Sequence, residues 1–114
     1  MTKNITITPA TGTWVVRAGG AVLGESSNAL ELHEGDLPMV IYFPRDDLGM
    51  AFLDKTDHST TCPHKGAASY FSIMSKSTTY ENAAWSYEDP KDDVAQIKGM
   101  IAFEVQDGVA VEQV

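Results

Sequence analysis

The chain has 114 residues, enough for one domain with its own core, and 43% of them are hydrophobic, which excludes disorder throughout. Eight basic residues face sixteen acidic ones for a net charge of −8, which speaks against a nucleic-acid partner and against an anionic membrane surface. No apolar run approaches the roughly 20 residues that cross a bilayer. The N-terminus shows no apolar signal-peptide core after Lys3, and the single cysteine, Cys62, allows no intrachain disulfide. The expectation is an acidic cytoplasmic protein forming a single domain over residues 1–114.

Asn4 to Thr8 alternates Ile5 and Ile7 with polar neighbours, the pattern of a half-buried strand. Trp14 to Ala18 runs into Gly19-Gly20 and returns as Ala21 to Gly24, a hairpin whose paired glycines tolerate positive φ. Ala29 to His33 reads as a strand with Leu30 and Leu32 on one face. Met39 to Phe43 is continuously apolar, as in a strand covered on both sides. Pro44 to Leu48 has proline and carboxylates where a helical first turn places them. Met50 to Leu53 fits helix or strand.

Asp54 to Gly66 is polar and turn-rich and reads as a loop. Ala68 to Met74 and Thr78 to Trp85 read as paired strands, and Asp92 to Ile97 as one helical turn. The C-terminus reads as a hairpin of Met100 to Val105 and Val109 to Val111 about Asp107-Gly108. The predicted class is mainly β: a small antiparallel barrel or two-sheet sandwich of about eight or nine short strands with one or two helical turns.

The unusual chemistry falls on Thr61-Cys62-Pro63-His64-Lys65-Gly66 and the following Ser69-Tyr70. If Pro63 starts a helical turn, Cys62 stands at its N-cap, where free N–H groups and nearby Lys65 favour a thiolate. Gly66 permits a sharp bend or a close ligand approach. The plainer alternative is a packed, inert Cys62. His58, Cys62 and His64 are each zinc-ligand types, but no fourth ligand or paired cysteine motif accompanies them, so no metal or other cofactor is expected. Arg45 follows an apolar strand and a proline; it clamps a carboxylate or phosphate, or else pairs with Asp46, Asp47 or Asp57. In a regular strand Trp85 and Tyr87 share a face with Ala83 and Glu81, opposite Asn82, Ala84 and Ser86.

Tyr42-Phe43-Pro44-Arg45-Asp46-Asp47-Leu48, Cys62-Pro63-His64-Lys65-Gly66 with Ala68-Ser69-Tyr70-Phe71, Asn82-Ala83-Ala84-Trp85-Ser86-Tyr87 with Pro90, and Ile101-Ala102-Phe103 occur in order. Together they resemble the bacterial and fungal family called domain of unknown function 427, roughly from Trp14 to Val105. The resemblance implies compact β architecture and a shared site. His64 stands where that family's motif is commonly aromatic. The family has carried a nucleotidyltransferase label. Such chemistry needs carboxylates holding magnesium against a phosphate-cradling loop. Asp46-Asp47 and Asp92-Asp93 are adjacent pairs with no glycine-rich phosphate loop before them, so the sequence does not support that activity.

Three functions follow. In the favoured one, a small polar or anionic ligand binds around the Cys-Pro-His-Lys-Gly loop, with Arg45, His58, His64, Gly66, Tyr70, Asn82, Trp85 and Tyr87 as its contacts. In the second, the loop is only a folding motif of a structural or interaction module. In the third, Cys62 is a nucleophile assisted by Lys65, with His58 or His64 as candidate base. An exposed strand edge also leaves room for a homodimer.

Overall fold

A computed structural model describes residues 4–114. Its strands are β1 (Ile5–Pro9), β2 (Trp14–Ala18), β3 (Ala21–Ser26), β4 (Leu30–Glu34), β5 (Val40–Tyr42), β6 (Leu53–Cys62), β7 (Gly66–Met74), β8 (Thr79–Ser86), β9 (Ala102–Phe103) and β10 (Val109–Gln113). They form three antiparallel sheets in the orders β1-β4-β5, β10-β2-β3 and β6-β7-β8-β9. The architecture is sandwich-like, without a closed barrel. Short 3-10 turns occupy Arg45–Asp47, Met50–Phe52 and Asp92–Ile97.

Side-chain alternation along β7 sets the layering. Phe71 and Ile73 enter a core with Val16, Ala18 and Leu23, while Ala68 and Tyr70 enter a second core with Leu32, Tyr42 and Tyr87. The four-stranded sheet is therefore packed on both faces along β7 and β8. Just beyond β5, Phe43 and Ile101 exchange both backbone hydrogen bonds, at 2.8 and 2.9 Å, and stitch the β1-β4-β5 sheet to the strand that leads into β9. Val94 and Ile97 of the last 3-10 turn are fully buried in the second core.

The Gly19-Gly20 hairpin forms as the glycine pair dictates, with φ of +58° and +85° at its tip. Two sequence expectations need correction. The segment Asp54 to Gly66 is not a loop: Leu53–Cys62 is the longest strand of the fold. Among the described residues it is an edge strand paired only with β7, and its side chains are mostly exposed, so no apolar alternation marks it. At the C-terminus the turn at Asp107-Gly108 is present, but the strands on its two sides go to different sheets. β10 pairs with β2 and touches its own turn only through Gln106 and Val109, while β9 pairs with β8.

Two bulges flank β7. The five residues from Lys55 to Ser59 span only the three from Phe71 to Ser69, and Tyr80 to Ala84 likewise spans Ile73 to Phe71. Asn82 sits inside the second bulge at φ +51°, a left-handed conformation that asparagine tolerates better than most residues. Its Oδ1 accepts a 2.6 Å hydrogen bond from Thr56 Oγ1 in the first bulge, and its N–H donates to Ser72 Oγ at 3.1 Å. This bulge also breaks the alternation expected for β8. Ala83 joins Ala84 in the first core rather than sharing the face of Trp85 and Tyr87, which belong to the second.

Candidate functional site

The period of β4 places Leu30, Leu32 and Glu34 on one face. The first two pack into the second core, and Glu34 is carried inward with them to 7% exposure. A carboxylate there requires a partner. It comes from the β6–β7 hairpin, where Pro63-His64-Lys65 makes a three-residue turn closed by the Lys65 N–H donating to the Cys62 carbonyl at 3.3 Å. Gly66 follows at φ +113°, pairs with Cys62, and would bring an added Cβ to 3.4 Å from the Asp89 carbonyl oxygen. The Lys65 carbonyl accepts from the Lys91 N–H at 3.0 Å, which pins the turn to the segment after β8.

So held, Lys65 reaches Glu34. Its Nζ lies 2.5 Å from Glu34 Oε1, with side chains only 12% and 9% exposed, and 5.9 Å from the centre of the Tyr87 ring. Burial pulls the Lys65 ammonium towards neutrality. The hydrogen bond to Glu34 and the nearby Cys62, Glu34 and Tyr42 outweigh that pull and leave its pKa raised. Lys65 is therefore a charged donor at neutral pH and not a free amine nucleophile. Tyr42 accepts a 3.2 Å hydrogen bond from Trp85 Nε1, and burial, partly opposed by that bond, pushes its phenol up to about 12. Burial, reinforced by Cys62, Tyr70 and Glu34, pushes Tyr87 higher still. Both phenols keep their protons as donors.

These groups border a groove of about 680 Å³. Its walls are aromatic and apolar, from Trp14, Leu32, Val40, Ile41, Tyr42, Tyr70, Trp85, Tyr87, Phe103 and Val111, and Leu37, Pro38, Met39 and Val105 add to the lining. Glu34, Lys65, Asn82 and Glu104 supply its polar side chains besides the phenols and indoles. The Tyr87 hydroxyl makes no hydrogen bond among the described residues, although the residue is only 6% exposed. Since no side-chain polar atom among these residues is sealed without a partner, that hydroxyl keeps an opening to solvent. The arrangement sets hydrogen-bond donors beside an aromatic and apolar wall.

Of the residues singled out in the sequence, Lys65, Tyr70, Asn82, Trp85 and Tyr87 line the groove, whereas Arg45, His58, Cys62, His64 and Gly66 do not. Arg45 is consumed by the scaffold. Its Nε donates to the Gly99 carbonyl at 2.7 Å, its Nη2 donates to Ser86 Oγ at 3.1 Å and pairs with Glu88, and its guanidinium stands 5.6 Å from the Phe71 ring centre. The pairing expected with Asp46, Asp47 or Asp57 is replaced by Glu88 because the 3-10 turn at Arg45–Asp47 faces the end of β8. His58 lies in the β6 bulge with its ring 4.5 Å from that of Tyr70. The Tyr70 hydroxyl shares a 2.9 Å hydrogen bond with Thr60.

Cys62 is not a helix N-cap. It ends β6, half-buried against the second core, and Pro63 opens a hairpin turn instead of a helix, so the thiol does not stand at a helix N-terminus. Asp46-Asp47 and Asp92-Asp93 both lie in 3-10 turns away from the groove, and Asp47 accepts a 2.6 Å hydrogen bond from Ser26. No group of three or more His, Cys, Asp or Glu side chains among the described residues is disposed to hold a metal ion.

Sequence reasoning missed Glu34 and assigned Tyr42 no part in the site. The signal for Glu34 was the Leu30-Leu32-Glu34 alternation, which points a charge inward. No curated protein matches the chain. The family is nonetheless shown: over residues 6–114 the chain matches, and belongs to, the family described as Domain of unknown function (DUF427).

Proposed function

We propose that this protein binds a small polar ligand in the aromatic groove beside the Glu34–Lys65 ion pair. The observation that carries the reading is the Tyr87 hydroxyl, a donor on a residue 6% exposed that no described protein group uses. Around it stand a charged lysine, a second protonated phenol on Tyr42 and the ring of Trp85, the mixture of apolar wall and few polar anchors typical of small-molecule sites. Catalysis by Cys62 is not part of the reading, because the thiol does not line the groove. A nucleic-acid partner fits poorly with a net charge of −8. The lone cysteine suits a cytoplasmic setting.

Both tryptophans of the chain line the groove, so 5-fluorotryptophan labelling gives two fluorine resonances that report on it. Titration with 2-quinolone, quinaldate and phenyl phosphate is expected to move the Trp85 resonance saturably for at least one of them. One observation favours a second reading, in which the loop is a folding motif: the Lys65 side chain and backbone tie the hairpin to β4 and to Lys91. If no probe moves either resonance while Lys65→Met lowers stability, the folding-motif reading replaces the first.

A further inference from the structure

We infer that the polar head recognised in this groove is a neutral lactam, a flat ring with adjacent N–H and C=O groups. This inference rests on the groove being a ligand site. Glu34 is 7% exposed, and only its Oε1 is engaged, by Lys65; among the described residues its Oε2 accepts no hydrogen bond. Lys65 spends one of its three N–H donors on Glu34. The Tyr87 hydroxyl is uncommitted, and the Tyr42 hydroxyl accepts from Trp85 while its own proton has no described acceptor. One end of the groove thus offers a carboxylate oxygen beside several donors.

Charge decides which head group fits. Glu34 and Lys65 already neutralise one another at 2.5 Å in a nearly closed setting. An anionic head brings a negative charge to a pair with none to spare, or draws Lys65 away and leaves Glu34 buried and unpaired. A cationic head competes with Lys65 for the same carboxylate. A neutral head that donates N–H to Glu34 Oε2 and accepts from Lys65 or Tyr87 through C=O uses both free valences and leaves the pair intact. The aromatic lining from Tyr42, Tyr70 and Trp85 favours a flat ring as the group that carries it.

The test uses the nitrogen-15 labelled chain, observed by amide NMR and titrated separately with 2-quinolone, N-methyl-2-quinolone and quinaldate. The expected result is saturable movement of the Lys65, Tyr70 and Tyr87 amides by 2-quinolone. The N-methyl compound should bind about tenfold more weakly or worse, because it leaves the Glu34 oxygen unsatisfied. Quinaldate should also bind more weakly than 2-quinolone. If N-methyl-2-quinolone or quinaldate binds as tightly as 2-quinolone, the lactam assignment is overturned while the groove remains a ligand site. If none of the three moves a groove amide, both the lactam assignment and the ligand-site reading fall.

Discussion

Lys65 Nζ and Glu34 Oε1 meet at 2.5 Å across the second core, joining the tip of the β6–β7 hairpin to the last residue of β4. Residues 31 positions apart in sequence are thereby fixed at one end of the groove. Breaking one partner of such a buried pair strands the other. Lys65→Met alone is expected to lower the unfolding free energy by about 3–5 kcal/mol. Adding Glu34→Leu should restore most of that loss, because an apolar pair of similar size removes the stranded charge. Urea denaturation of the two variants and the parent measures both quantities. A single-variant cost near zero would show the pair to be energetically idle.

The same cluster is expected to make the fold sensitive to alkali. Lys65, Tyr42 and Tyr87 all have pKa values raised by folding. A raised folded value contributes stability that is fully present below the unfolded pKa and lost as pH rises through the folded one. The unfolded values are about 10 for tyrosine and about 10.4 for lysine. Stability should therefore be insensitive to these groups at neutral pH and fall from about pH 10 through 12. Phenolate absorbance should show a late phase that Tyr42→Phe and Tyr87→Phe remove. Loss of the early phase in these variants would contradict the assignment.

Asn82 is held in a left-handed conformation at φ +51° and bonded to Thr56 across the paired bulges. Asn82→Ala loses that hydrogen bond and keeps the strain, with an expected cost of about 1–3 kcal/mol. Asn82→Gly loses the bond but relaxes the backbone and should cost less. Equal losses in denaturant melts would show that the bond alone matters.

Arg45 is predicted to govern stability and not ligand affinity, since its guanidinium is spent on Gly99, Ser86 and Glu88. Arg45→Met should destabilise the fold by about 1.5–3 kcal/mol. Arg45→Lys should recover little, because one ammonium cannot reproduce the forked geometry. A variant that melts like the parent but loses groove binding would reassign Arg45 to the site.

Local signals in the sequence located most strands. The Gly19-Gly20 turn, the Leu30-Leu32 alternation and the apolar run at Met39 to Phe43 each act through neighbours a few residues away. β6 escaped notice because an edge strand exposed along most of its length needs no apolar period. The fate of the C-terminal strand depended on β2, about 95 residues earlier, which no local pattern encodes. The site was half-legible for the same reason. Lys65, Tyr70, Trp85 and Tyr87 announced themselves as unusual chemistry near one loop. The Glu34 partner comes from a distant strand and the Glu88 that captures Arg45 from the bend after β8, and the bulge at Asn82 re-aims Ala83 without a glycine to mark it.

The most direct measurement compares the unfolding midpoint and the affinity for 2-quinolone in the parent and in Tyr87→Phe. The hydroxyl has no described protein partner, so its removal is predicted to leave the midpoint unchanged and to weaken binding about fivefold or more, the loss of one hydrogen bond. A Tyr87→Phe chain that is clearly less stable yet binds as tightly as the parent would contradict the account, making that hydroxyl a structural group and not a ligand contact.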